Sequence, residues 1–282
     1  MVAPFPDTPS RFVASPDGAR IAVFSAGRSA VPGPPILLVH GTTADHRTWR
    51  VVAPELATRH AVHAIDRRGR GDSTDGPPGG YAIERELDDL AAVAEAIAAE
   101  AGGPVDVVGH SLGGRIALGA SLRTAAIRRI VAYESAPTAD ARAPGERDTL
   151  LDALRADLAR GDHDAVLARF MTEAVGMPAE DLAAFRADPI WALRAAAAPT
   201  IVRELEAAED DPAVGLEALA RVTVPVLQLV GSAGTAGFRA GAERLDARLA
   251  EGRLVIVEGA RHAAHHSHPG AFIGLVERFL AS

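Results

Sequence analysis

Gly109-His110-Ser111-Leu112-Gly113-Gly114 is the stretch of this chain most clearly suited to chemistry. It follows an apolar run, Val105–Val108, and opens a helical pattern. A serine between glycines at a strand-to-helix turn is held with its hydroxyl exposed, because glycine tolerates the sharp backbone. Such a hydroxyl attacks carbonyl carbon once a base removes its proton. The Leu112 N–H at the helix N-terminus would donate to the oxyanion that forms. Competing chemistries thin out quickly. The chain has no lysine, so a phosphate-cradling loop ending in Gly-Lys is impossible. It has no cysteine, which excludes disulfides, Cys-ligated zinc, iron–sulfur clusters and a thiol nucleophile. The ten histidines, crowded near the C-terminus at His262, His265, His266 and His268, offer bases. They also raise the question of a metal, but no carboxylate lies among them in sequence, and no metal site is expected.

These residues need a scaffold that presents them together. Ile36–Val39, Ala61–Ile65, Val105–Val108, Ile130–Tyr133, Val224–Val230 and Leu254–Val257 are apolar runs of strand length. Continuous apolar runs fit strands buried on both faces. Arg11–Ala14 and Arg20–Ser25 read as a hairpin across Ser15-Pro16-Asp17-Gly18, and Val31–Pro35 reads as a loop. Helical spacing marks Glu84–Ala101, Leu112–Arg123 and Pro269–Leu280. The alternation predicts an α/β fold with a mostly parallel eight-stranded sheet and helices on both faces. Residues 137–221 break the rhythm: they are rich in Ala, Leu and acids, punctuated by Gly and Pro, and carry no strand pattern. They are predicted to form a helical cap between the sixth and seventh strands, with residues 1–136 and 222–282 as the core. C-terminal strand ends share one edge of a parallel sheet. Glu134, just after Ile130–Tyr133, is therefore predicted to emerge beside Ser111.

Taken together, these segments resemble the α/β-hydrolase family over nearly the whole chain. His40-Gly41-Thr42-Thr43 is similar to the family's oxyanion loop, which implies the Thr42 N–H as the second donor. Asp66-Arg67-Arg68-Gly69-Arg70-Gly71-Asp72-Ser73 is similar to its D-x-R-G-x-G-x-S loop, a structural signature. Glu258-Gly259-Ala260-Arg261-His262 resembles the G-x-x-H loop after the last strand, which implies His262 as the base. One departure stands out. The family usually carries its acid in a G-x-x-D loop after the seventh strand, yet Gly231–Gly237 holds no carboxylate. Glu243 and Asp246 fall on the following helix. Some members, including certain dehalogenases and the zearalenone-hydrolase-type lactonases, place the acid after the sixth strand, where Glu134 stands. The lactonases also resemble this chain near Val230–Ala233 and at His262 through Pro269.

The resemblance implies a Ser111–His262–Glu134 triad that cleaves a carboxylic ester or lactone without a cofactor. Serine in place of aspartate argues against a dehalogenase or epoxide hydrolase. His40, Gly41, Trp49, His110 and Trp191 are expected to line the substrate pocket, with Phe170, Met171, Phe185 and Leu193 as further apolar candidates. Ordinary core packing is the competing use for such residues. A ligand-binding or lyase-like relative is the alternative function, since the usual acid is missing from its place. A net charge of −8 with no basic tract excludes nucleic-acid and anionic-membrane partners. The N-terminal stretch has no basic start and no apolar run. A cytoplasmic monomer or homodimer acting on a small molecule is therefore expected.

Overall fold

A computed structural model describes residues 3–27, 33–77, 80–138 and 146–282. Residues 31–32 of the expected loop and 139–145 of the expected cap lie outside them. The strands are β1 (Arg11–Ala14), β2 (Arg20–Ala26), β3 (Ile36–Val39), β4 (Val62–Ile65), β5 (Val105–His110), β6 (Ile127–Tyr133), β7 (Val226–Gly231) and β8 (Gly252–Val257). They form one sheet in the order β1-β2-β4-β3-β5-β6-β7-β8. The β1–β2 and β2–β4 pairs are antiparallel and the rest are parallel. The chain runs from β3 outward to β4, then returns to place β5 on the other side of β3. That reversal opens a crevice at the C-terminal ends of β3 and β5, the usual place for a ligand in an open α/β sheet.

Helices cover both faces. On one side α2 (Ile83–Ala101) and α3 (Leu112–Ala120) pack on the sheet through Leu87, Leu90, Val93 and Ile116. On the other side α1 (Ala53–Leu56) and the C-terminal helix pack through Leu56, Phe272 and Val276. Between β6 and β7 the chain forms α4 (Glu146–Ala159), α5 (His163–Arg169), a π-helical turn at Phe170–Ala174, α6 (Ala179–Ala187), α7 (Ile190–Ala196), α8 (Ala198–Asp210) and α9 (Leu216–Leu219). Leu154, Leu167, Trp191 and Ile201 give this segment a buried apolar cluster of its own. The chain ends with α10 (Ala236–Asp246), α11 (Ala264–Ser267) and α12 (Pro269–Leu280).

Element ends differ from the sequence reading for local reasons. β7 begins at Val226 rather than Val224, because Pro225 has no N–H to give the ladder and contributes only its carbonyl, to Ile130 N–H at 3.0 Å. α3 stops at Ala120 rather than Arg123. The Ser121 hydroxyl donates to the Leu118 carbonyl, and the next amides tighten to Gly119 and Ala120. β5 extends two residues further than its apolar run, to His110, which carries the strand to the serine itself.

Candidate active site

Ser111 sits on the turn between β5 and α3 with φ 53° and ψ −128°. This is a conformation that residues with a side chain seldom adopt. The surroundings over-determine it. The Ser111 N–H donates to the Tyr133 carbonyl at 2.8 Å, and the Ser111 carbonyl accepts from Gly114 and Arg115 N–H at 3.0 and 3.2 Å. The flanking glycines are required by packing: a Cβ on Gly109 would overlap Gly114, and one on Gly113 would overlap the backbone carbonyls of Val39 and His40. The tight contact of α3 with β3 thus brings Thr42, Ser111 and Leu112 to the wall of one small cavity. Leu112 is the first residue of α3, where amide hydrogens have no intrahelical partner.

Glu134 leaves the end of β6 with φ 47°, its N–H donating to the Leu229 carbonyl at 2.8 Å. Its carboxylate is fully buried. Oε1 accepts the Gly231 N–H at 2.9 Å, and Oε2 lies 2.6 Å from His262 Nδ1. An ionised carboxylate only accepts, so Nδ1 carries the hydrogen and Nε2 is left with its lone pair. The loop after β7, which has no carboxylate of its own, therefore supplies a donor to the acid on β6. The Phe238 ring of α10 stacks on His262 with centroids 4.6 Å apart and planes 17° from parallel. Two further hydrogen bonds fix the loop that carries His262. Tyr133 Oη donates to the Arg261 carbonyl, and His110 Nε2 donates to the His262 carbonyl at 2.6 Å. Burial and the neighbouring His262 push the His110 pKa well below its ordinary value, so it stays a neutral donor.

Thr42, His110, Ser111 and His262 border a cavity of about 500 Å³. Its other wall comes from the inserted helices, through Phe170, Met171, Val175, Met177, Phe185 and Ile190. The structure brings Ser111, His262, Glu134, Thr42 and Leu112 together as expected from their positions.

Other expected pocket residues lie elsewhere. His40 is fully buried and works as a brace: Nδ1 donates to the Gly41 carbonyl at 2.9 Å and Nε2 accepts the Arg67 N–H at 2.9 Å. Gly41 is packed behind the nucleophile, where a Cβ would come within 2.9 Å of Ser111 Cβ. Trp49 is wholly inside the core against His265. Trp191 turns into the insertion, its Nε1 donating to Asp164 Oδ1 at 2.6 Å and its ring nearly perpendicular to that of Phe185. Phe185, not Trp191, reaches the cavity. Leu193 is exposed. Sequence reasoning passed over Phe238 and Arg194, which no motif marks, and read Gly231 only as the start of a loop without a carboxylate.

Two of the C-terminal histidines meet at one hydroxyl, with His266 Nε2 3.4 Å from Thr48 Oγ1. His265 Nε2 faces the Thr48 hydroxyl at 3.2 Å, and His268 Nδ1 faces Ser267 Oγ at 2.9 Å. Among the described residues, Asp45, His46 and Asp66 are the group whose donor atoms cluster. Their hydrogen bonds are internal. Asp66 accepts from His46 N–H and Nδ1 at 2.8 and 2.9 Å and from Asp72 N–H at 2.9 Å. Asp45 caps Arg47 N–H at 2.9 Å. These bonds shape and join the loops after β3 and β4.

A family model described as "Alpha/beta hydrolase family" matches residues 36–275, and the chain belongs to that family. The chain is 30% identical over 261 residues to a pimeloyl-[acyl-carrier protein] methyl ester esterase of Aeromonas hydrophila subsp. hydrophila, covering 88% of this chain and 96% of that one. A solved alpha/beta hydrolase from Sphaerobacter thermophilus superposes with a TM-score of 0.77 at 32% identity, over 95% of this chain and 99% of the other. A solved Rhodococcus esterase gives 0.75 at 25% identity, over 96% and 98%. The chain is thus a hydrolase of the esterase-like kind. No helix among the described residues is long and apolar enough to cross a membrane.

Proposed function

We propose that the chain is a serine esterase, acting on a carboxylic ester or lactone of a largely apolar small molecule through an acyl-enzyme on Ser111. The contact that carries this reading is the 2.6 Å hydrogen bond from His262 Nδ1 to buried Glu134, on a cavity that both His262 and Ser111 border.

The steps follow from the arrangement. His262 Nε2 takes the Ser111 hydroxyl proton as Oγ attacks the carbonyl carbon, and Glu134 steadies the imidazolium that results. The carbonyl oxygen becomes an oxyanion, and the Thr42 and Leu112 N–H groups hold it. Each such donor is typically worth ~10²–10³ in rate. Collapse breaks the bond to the alcohol oxygen, which receives the proton from His262. Water then enters, gives its proton to His262, and attacks the acyl carbon; Ser111 leaves and recovers its hydrogen. A lactone follows the same path with the alcohol still tethered. The apolar lining from Phe170, Met171 and Phe185 supports an apolar substrate body.

The test is turnover of a panel of p-nitrophenyl esters and lactones by wild type, Ser111→Ala and Glu134→Gln. Activity lost in Ser111→Ala and strongly reduced in Glu134→Gln is the expected result. Activity that persists in Ser111→Ala would remove the serine mechanism.

A further inference from the structure

Among the described residues three guanidinium groups border the main cavity, and they are not equally matched. Arg50 lies 3.6 Å from Asp188 and Arg261 lies 3.6 Å from Asp181, and both side chains are about half exposed. Arg194, on α7, has no carboxylate at ion-pair distance among the described residues. Its Nη1 and Nη2 donate to the Thr43 and Thr48 hydroxyls, each at 3.4 Å, near the limit of a hydrogen bond. Its Cζ stands 5.3 Å over the Phe185 ring. Burial, with some help from the neighbouring Arg50 cation, lowers the Arg194 pKa to about 10, while Asp45 and Asp188 oppose that through space. It is still a cation at neutral pH.

A largely desolvated cation is costly unless an anion answers it. Two neutral hydroxyls at long range do not, and a guanidinium has five N–H donors to place. The planar fork of arginine matches a carboxylate through two parallel hydrogen bonds. Thr43, which Arg194 touches, is the residue after Thr42. The charge is therefore seated against the same loop that borders Ser111.

We propose that Arg194 anchors a carboxylate of the substrate, so that the preferred ester is a monoanion such as the half-ester of a dicarboxylic acid. Placing the ester on Ser111 rests on the esterase reading above; binding of the anion does not. Arg50 and Asp188 beside it pair with each other, which leaves the one charge of Arg194 to be answered and suits a monoanion better than a phosphate dianion. The apolar side chains of Phe170, Met171 and Phe185 would carry the methylene segment between the two ends. α7 belongs to the insertion and Thr43 to the core. An anion held by Arg194 would therefore bind at their contact.

The test uses equilibrium binding, so that it does not depend on turnover. Monomethyl esters of succinic through suberic acid, and the matching dimethyl esters, are titrated calorimetrically into Ser111→Ala protein. At least one half-ester is expected to bind ten-fold or more tightly than its diester, with an affinity that falls as salt rises. In Ser111→Ala with Arg194→Gln the preference is expected to vanish. Arg194→Lys, which keeps the charge and loses the fork, is expected to retain part of it. Diesters binding as well as half-esters throughout the series would overturn the proposal, as would a preference that survives Arg194→Gln or no binding by either class. A lowered melting temperature in Arg194→Gln with an unchanged half-ester preference would reduce Arg194 to a clasp between insertion and core. Wild-type turnover of the bound half-ester is measured separately. Binding without cleavage would remove the esterase reading and leave the anion site standing.

Discussion

Ser111 and Glu134 both hold positive φ, at 53° and 47°, although neither is glycine. Strain of this kind typically costs ~1–3 kcal/mol per residue and persists where a side chain is needed in that place. Here it aims a hydroxyl and a carboxylate from neighbouring strand ends toward one cavity. The Glu134 Oε2 contact fixes which His262 nitrogen carries hydrogen, and an amide at that position can present N–H to Nδ1 instead. Glu134→Gln is therefore expected to lower kcat by up to ~10⁴, as loss of an orienting carboxylate does elsewhere. Steady-state kinetics on the best p-nitrophenyl ester checks this, and a kcat within ten-fold of wild type would contradict it. Ser111 was legible in the sequence because its glycines must sit where they do. Glu134 was legible from the shared edge of a parallel sheet. Trp49 and Trp191 misled because a large aromatic serves a core as well as a pocket, and composition does not separate the two. Arg194 is one of 29 basic residues, and its place on the cavity wall without a carboxylate at ion-pair distance among the described residues is what distinguishes it.

Strand positions were readable at the level of elements because buried parallel strands are continuous apolar runs. Their ends were not, since Pro225 and Ser121 act through hydrogen bonds that a hydropathy pattern does not register. The missing acid after β7 could be noticed in sequence. That the same loop donates the Gly231 N–H to Glu134 could not. The Asp66–Ser73 loop has a part that its motif alone does not disclose, because it ties the inserted helices to the core. Arg67 pairs with Glu86 at 2.6 Å and with Glu204 of α8 at 3.0 Å, and Arg70 meets Glu204 at 2.7 Å. All four side chains are buried. Glu204→Ala would leave the Arg70 cation buried without that partner, which typically costs 3–5 kcal/mol, roughly the stake of breaking a buried pair. Denaturant unfolding is expected to show a loss of about that size. A loss under about 1 kcal/mol would mean that the loop and α8 are not energetically coupled.

For the molecule as a whole, a core sheet edge and an inserted helical layer enclose the cavity, and several neutral histidines sit close to that boundary. Burial lowers the pKa of His40, His110 and His265 well below the ordinary value, and that of His266 to about 4. The unfolded chain takes up these protons near pH 6.5, while the native chain does not until much lower pH. The unfolded state therefore binds more protons in that window, and native stability falls as pH drops below about 6.5. Each such group contributes a slope of up to ~1.4 kcal/mol per pH unit. The denaturation midpoint is expected to decline steadily from pH 6.5 toward pH 4, and a midpoint flat between pH 7.5 and 5 would contradict this.

The proposed mechanism stands on one covalent assignment, Ser111 as the nucleophile. Its most direct test is titration with p-nitrophenyl diethyl phosphate, which phosphorylates an activated serine and releases p-nitrophenolate. The expected result is one p-nitrophenolate per chain, a diethylphosphoryl group on the peptide containing Ser111, and no release from Ser111→Ala. Modification of a different residue, or unmodified protein that still cleaves esters, would contradict the claim.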